Sequence, residues 1–324
     1  MAQQNSNRPQ RRRVGTAQRV QPRQRRVETP RTRKTEPVGR NRIVLAVTAV
    51  IVVALVGFMG APALMHPSTQ ESASNFAATP NGQANTSQSQ ADLSWRDSDF
   101  AVDPNRETDW NYGSNGRKVV YLTIDDGPSE NTQAVLDVLD KYGCKATFFV
   151  VGHNSDYYPM IKEAYDRGHT IGLHTFTHDY ATVYSSQQAY FDDLDAIGNV
   201  VKEQIGYVPC FIRFPGGSSN GISAEYSAGI MTALVDEVQA RGYQFYDWNV
   251  SSGDGSDHTA GDLVYFATEE ATEYENIVLL MHDSATKQSS VEALPSIIEY
   301  YQARGYTFEA IDRSTIVPHH GTNN

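Results

Sequence analysis

The run Val119-Val120-Tyr121-Leu122-Thr123-Ile124-Asp125-Asp126-Gly127-Pro128 is a β-branched and aromatic stretch that stops abruptly in two acids and a Gly-Pro turn. Near-continuous apolarity predicts a strand buried on both faces, as in parallel sheets, where an antiparallel strand with a wet side would alternate. Similar runs recur on the C-terminal side: ATFFVV (146–151), TIGL (170–173), FIRF (211–214), QFYDW (244–248), IVLLM (277–281) and TFEAI (307–311). Helical spacing lies between them. Val135, Leu139 and Tyr142 share one face, as do Phe191, Leu194, Ile197 and Val201, then Ile230, Leu234 and Val238, then Val291, Leu294, Ile298 and Tyr301. Gly143, Gly168, Gly206, Gly242 and Gly305 each precede a strand by a few residues, as glycines just past a helix end do. Alternating strands and helices predict an α/β domain with parallel strands, either a barrel or a doubly wound sheet. Polar residues follow directly on several strands: Asp125-Asp126, His174, Arg213, Asp247 and His282. Contributions from five strand ends fit barrel-like closure best, with the site at the carboxyl ends.

The flanking sequence has different physics. The 324 residues carry 27 Lys+Arg and 38 Asp+Glu, a net charge of −11. Residues 1–42 hold 13 of the basic residues and only Glu28 and Glu36 as acids, so this stretch is +11 and the rest is −22. Residues 43–65, IVLAVTAVIVVALVGFMGAPALM, are uncharged and long enough to span a hydrocarbon core of roughly 30 Å at about 1.5 Å per residue. With arginines crowding its N-terminal side, the positive-inside rule predicts a single-pass signal anchor: a basic, disordered cytoplasmic tail (1–42), a membrane helix (43–65) and an exported remainder. A cleaved signal peptide ending at Ala61-Pro62-Ala63 is the competing reading, although its apolar region is longer than usual. The basic tail is Pro- and Gln-rich and lacks aromatics, which fits a lipid-facing segment and not a nucleic-acid site. Residues 66–112 are rich in Ser, Gln and Asn and read as an extracellular linker, whose last part, with Trp95 and Trp110, has side chains that could pack on the domain. Residues 113–324 hold the alternating strands and helices and read as the folded domain. Cys144 and Cys210 lie in no CxxC or Cys/His cluster; a disulfide is permitted outside the cell, and buried free thiols are the simpler reading.

The chemistry-bearing residues cluster at the strand ends. A DDG turn is common by itself, but adjacent side chains of extended backbone point to opposite sides, so Asp125 and Asp126 can serve different parts of one pocket. His174-Thr175-Phe176-Thr177-His178 is an HxxxH, and in a helical turn its imidazoles would share a face. Two neutral His, one carboxylate and an open position make a catalytic zinc site. Arg213-Phe214-Pro215-Gly216-Gly217 brings a cation and then unhindered backbone N–H groups able to hold an oxyanion. Asp247-Trp248 and Leu280-Met281-His282 add an acid, an indole, an aliphatic wall and an imidazole, although core packing explains Trp248 and Leu280 equally well. His153, His169, His258, His319 and His320 read as surface or structural.

Together these motifs, in this order over roughly 113–317, resemble the polysaccharide deacetylases of the NodB-homology type, carbohydrate esterase family four, and among them the membrane-anchored peptidoglycan N-acetylglucosamine deacetylases. The resemblance implies a distorted (β/α) barrel with Asp125 as general base and Asp126, His174 and His178 as ligands of Zn²⁺, or of Co²⁺ or another divalent metal. It implies that Arg213 orients the base, that His282 is the general acid tuned by Asp247, and that Trp248 and Leu280 wall the pocket for the acetyl methyl group. The family often has an aromatic residue after the proline of the arginine motif. Here that residue is Gly216, which keeps the backbone N–H and loses sugar stacking from that position. The implied reaction is hydrolytic removal of acetate from N-acetylglucosamine in peptidoglycan, with lysozyme tolerance as its consequence, by a monomeric catalytic domain at the wall of a bacterial cell. Muramic acid, poly-N-acetylglucosamine, chitin oligomers and acetylated xylan are alternative substrates, because specificity lies in groove loops such as 179–187 and 217–223. A catalytically silent wall-binding module is the alternative outside enzymes.

Overall fold

The computed structural model describes residues 99–107, 109–269, 271 and 274–324. The expectations for the basic tail, the apolar stretch 43–65 and most of the 66–112 linker fall outside these residues. Among the described residues no helix is long and apolar enough to cross a membrane.

Among the described residues eight strands, all parallel, make one sheet: β1 (Val119–Asp125), β2 (Ala146–Val151), β3 (Thr170–Thr175), β4 (Phe211–Ile212), β5 (Gln244–Phe245), β6 (Val250–Ser251), β7 (Asn276–His282) and β8 (Thr307–Phe308). The order is β5-β4-β3-β2-β1-β7-β6, with β8 paired to the start of β1. No ladder joins β5 to β6 among the described residues, so the sheet curls into a (β/α) barrel that is open there. Beside the opening runs the C-terminal tail, whose Pro318 carbonyl accepts the Asp247 N–H at 3.1 Å.

β1 and β2 are buried at every position, as expected of strands with helices on one side and a barrel core on the other. The covering helices are α1 (Thr132–Tyr142), α2 (Pro159–Asp166), α3 (Tyr180–Val183), α4 (Gln187–Ile205), α5 (Ile230–Ala240), α6 (Ala260–Glu269) and α7 (Gln288–Gln302). Their buried positions include Val135 and Leu139 on α1, Phe191, Leu194, Ile197 and Val201 on α4, Ile230, Leu234 and Val238 on α5, and Val291, Leu294, Ile298 and Tyr301 on α7. All five expected helix-end glycines have positive φ.

The differences from the sequence reading are local. FIRF, QFYDW and TFEAI shrink to two-residue strands, because their later residues leave the ladder to form the site or the tail. Strand β6 and helices α2 and α3 carried too short or too polar a pattern to be predicted, and α6, ten residues and largely apolar, lies outside the sequence reading as well. The last part of the 66–112 linker packs on the domain, as the sequence reading of Trp110 allows. Phe100 is buried, Val102 N–H donates to Val208 O at 2.9 Å, and Trp110 lies edge-on to Phe211 and beneath the Arg313 guanidinium. Cys144 and Cys210 are both free and buried, and burial raises their thiols to about 11 and about 12.

Candidate active site

The β1–β7 ladder pairs Asp125 with His282, so two titratable groups remote in sequence emerge side by side at the carboxyl ends of adjacent strands. Asp125 is almost fully buried; its Oδ1 accepts from Arg213 Nη1 at 2.9 Å, and its Oδ2 lies 3.9 Å from His174 Nε2. Arg213 follows β4 and is wholly buried. Its Nε donates to Tyr246 O (2.8 Å), Nη2 to Asp247 O (3.0 Å) and Nη1 also to Thr123 Oγ1 (2.6 Å), while the guanidinium lies over the Phe149 ring. These bonds lock the carboxylate in one orientation. Burial raises the Asp125 pKa above the usual carboxylate range, against the pull of Arg213 and His282, and this makes it the stronger base.

Beside it, Asp126, His174 and His178 bring donor atoms within 4.8 Å of one another. The Asp126 Oδ1 is buried without a hydrogen-bond partner, 3.6 Å from His174 Nε2 and 3.4 Å from His178 Nε2. His174 Nδ1–H donates to the Arg213 carbonyl at 2.6 Å, which fixes the tautomer and leaves the Nε2 lone pair facing the cluster. Burial, reinforced by His178, pushes His174 down to about 3, so the imidazole is neutral, as a metal ligand must be. An orphaned carboxylate oxygen and two imidazole nitrogens fit a divalent metal of the zinc type. The HxxxH is not helical, however: His174 belongs to β3, and His178 sits in the following turn at φ 49°. Asp126 (φ 71°) and His178 are the two non-glycine residues with positive φ among those described. Such backbone costs about 1–3 kcal/mol per residue and persists where surrounding structure enforces it. Part of that enforcement comes from Asp193 on α4, which accepts the N–H groups of Phe176 (2.5 Å) and Thr177 (3.1 Å) and the Thr177 hydroxyl (2.7 Å).

The acid partnered with His282 is Asp254, not Asp247. Nδ1–H of His282 donates to Asp254 Oδ1 at 2.8 Å and its backbone N–H to Oδ2 at 2.7 Å, which leaves Nε2 for the cavity. Burial opposes the imidazolium, but the hydrogen bond and charge of Asp254, helped by Asp125 and Asp126, raise His282 to about 9. Asp254 itself is held below the usual range against its own burial, chiefly by His282. Asp247 instead receives the Ser218 N–H (2.8 Å), the Ser218 hydroxyl (2.5 Å) and the His320 N–H (2.7 Å), tying the loop after β4 to the C-terminal tail. Asp254 escaped the sequence reading because it stands in a Gly-rich turn, Ser252-Gly253-Asp254-Gly255, where an acid is ordinary. Asp193 did carry a signal: it is an acid on the buried face of α4, beside Tyr190, Leu194 and Ile197.

Asp125, Asp126, His174, His178 and His282 open into one cavity of about 260 Å³, lined also by Tyr180, Phe214, Gly216, Trp248, Leu280 and Lys287. Gly217 N–H is taken by Phe214 O at 2.8 Å, while the Gly216 N–H has no partner among the described residues. Gly216 has φ 76°, and a Cβ there would lie 2.4 Å from the Tyr180 hydroxyl. The space that a side chain at 216 would use is therefore filled by a phenol from α3, a residue the sequence reading left within a groove loop.

A family model described as polysaccharide deacetylase matches residues 112–231. The catalytic domain of peptidoglycan N-acetylglucosamine deacetylase from Eubacterium rectale is similar in structure, at 45% identity and a TM-score of 0.64, over 68% of this chain and 100% of that one. A peptidoglycan-N-acetylglucosamine deacetylase of Bacillus cereus is 30% identical over 224 residues, 67% of this chain and 78% of the relative. The chain belongs to the polysaccharide deacetylase family. A third relative in this family, the peptidoglycan-N-acetylmuramic acid deacetylase of Bacillus subtilis, is 30% identical over 210 residues, 62% of this chain and 72% of the relative. Family membership bears out the resemblance to polysaccharide deacetylases and the (β/α) fold, and supports a hydrolase that removes acetyl groups from a polysaccharide.

Proposed function

We propose that this polysaccharide deacetylase is a metal-dependent enzyme that removes acetate from N-acetylglucosamine residues of peptidoglycan. The observation that carries the reading is the meeting, in one cavity, of the Asp126–His174–His178 cluster with an Arg213-oriented Asp125 and an Asp254-paired His282. A divalent metal held by the three ligands, zinc by their chemistry, would lower the pKa of water and polarise the amide carbonyl. Asp125 Oδ2 takes the proton from the attacking water, with Arg213 fixing its partner oxygen. The free Gly216 N–H faces the developing oxyanion. His282, protonated at Nε2, hands its proton to the departing amine, so the C–N bond breaks to acetate and a free glucosamine nitrogen. Trp248 and Leu280 enclose the acetyl methyl group.

The names of the relatives support peptidoglycan as the substrate. The sequence of residues 1–65 supports a cytoplasmic tail and a membrane anchor that leave the catalytic domain at the wall, where deacetylated glycan resists lysozyme. The test is acetate release by the purified, zinc-loaded full chain from peptidoglycan, chitin oligomers and acetylated xylan, with Asp125→Asn and His174→Ala as controls. Release from peptidoglycan, lost in both variants, is the expected result. Release from xylan alone would discard the wall assignment, and zinc-loaded protein releasing nothing from any glycan would discard the enzyme.

A further inference from the structure

Just past β4, two phenols meet one peptide unit. The peptide joins Pro215 to Gly216, and its two ends are held differently. Its carbonyl accepts from the buried Tyr184 hydroxyl at 2.7 Å and from Asn220 Nδ2 at 3.3 Å. Its N–H, on Gly216, has no partner among the described residues, and Gly216 lines the catalytic cavity. A peptide unit is planar, so bonds that hold the carbonyl also fix the direction of the N–H on the opposite side. The second phenol, Tyr180, opens α3, is half-buried and lines the same cavity. Its ring packs edge-on to those of His178, with centroids 6.0 Å apart, and Tyr184, at 5.4 Å. A Cβ on Gly216 would collide with the Tyr180 oxygen, so that hydroxyl lies against the Gly216 backbone itself. It has no hydrogen-bond partner among the described residues. Two partnerless donors, one backbone and one phenolic, therefore stand side by side on the wall that also carries Asp126, His174 and His178.

We propose that the Tyr180 hydroxyl is a catalytic group, the second protein donor of the oxyanion hole, converging with the Gly216 N–H on the acetyl oxygen. The inference deepens the deacetylase reading above and rests on it. The phenol donates and keeps its proton throughout, and its hydrogen bond strengthens as the carbonyl oxygen gains charge in the tetrahedral transition state. Gly216 is the permissive partner of this arrangement: with φ 76° and no side chain, it leaves the room in which the hydroxyl sits. Tyr184, one turn further along, is the positioning residue, because its bond to the Pro215 carbonyl aims the other donor. The short helix α3 thus serves both halves of the oxyanion hole.

The test compares the zinc-loaded full chain with its Tyr180→Phe variant, which keeps the ring and its packing and removes only the oxygen. Acetate release from peptidoglycan is expected to fall about 100-fold in kcat with KM within about twofold of the parent, because the donor acts on charge present only in the transition state. Calorimetric titration with a methylphosphonamidate of glucosamine, whose tetrahedral anion mimics that charge, reads the same contact without turnover. Tyr180→Phe should weaken its binding about 100-fold, yet leave the binding of an intact N-acetylglucosamine oligomer to Asp125→Asn protein unchanged. A kcat within about threefold of the parent, a raised KM at unchanged kcat, or analogue binding indifferent to the hydroxyl overturns the donor while the deacetylase reading stands. A parent that binds the analogue through Tyr180 but releases nothing from peptidoglycan keeps the donor and discards that substrate. A parent that does neither discards both.

Discussion

Replacing Asp254 with Asn tests the proton-donor half of the mechanism most directly. The substitution keeps the size of the side chain and an oxygen to accept from His282 Nδ1, and removes the charge that stabilises the imidazolium. In the parent, His282 is raised to about 9 from an ordinary 6.5. Without the carboxylate, burial is the largest remaining influence and acts downward, so the variant's pKa is expected at about 6.5 or below. The general acid works protonated, so kcat/KM falls as pH rises through this pKa. At pH 8 the protonated fraction drops from about 0.9 to about 0.03, a loss of roughly 30-fold, whereas at pH 6 the variant stays within about twofold of the parent. The assay is acetate release as kcat/KM across about pH 5.5 to 9.5 at saturating zinc. Asp247→Asn serves as the control; it touches the Ser218 loop and His320, so any loss it causes should be the same at every pH. An alkaline limb left unmoved by Asp254→Asn, or moved by Asp247→Asn instead, would refute the assignment of Asp254 as the partner of His282.

Chelation with a zinc-selective reagent should abolish acetate release, and readdition of Zn²⁺ should restore it, followed in one cuvette; activity indifferent to the chelator would count against Asp126, His174 and His178 as ligands. Asp193→Asn removes the charge that gathers the Phe176 and Thr177 N–H groups, and should weaken zinc binding about 10–100-fold in a competition titration while the fold survives. Gly216→Ala places a Cβ against the Tyr180 hydroxyl at a φ that L-residues resist, and should cost about 1–2 kcal/mol by thermal unfolding, with Tyr180→Phe in the same chain recovering part of it. Leu122→Ala empties a fully buried place in β1 and should cost about 2–5 kcal/mol by denaturant titration, with activity per folded molecule retained.

The repeating strand and helix pattern was legible because burial imposes it locally. A strand covered on both faces must be apolar along its whole length, as β1, β2 and β7 are, and a helix on a sheet must repeat at about 3.6 residues, as α4 and α7 do. The same locality made Asp125, Asp126, His174, Arg213 and His282 stand out, each a polar residue directly after an apolar run. What stayed hidden has no local signature: β6 is two residues long, α6 is flanked by turns, and the acid beneath His282 stands among glycines.

By itself the sequence determined the class of fold, the carboxyl ends of the strands as the place of chemistry, and the kinds of group present there. Only the tertiary structure decided which groups meet. Strand order sets β7 beside β1 and so Asp125 beside His282; the turn after β6, not the exit of β5, carries the carboxylate to His282; and α3 brings a phenol to the bare backbone of Gly216. The physical reason is that hydrophobic burial is read residue by residue along a chain, whereas a hydrogen bond or a pKa depends on a few ångströms between groups that only the packed sheet brings together.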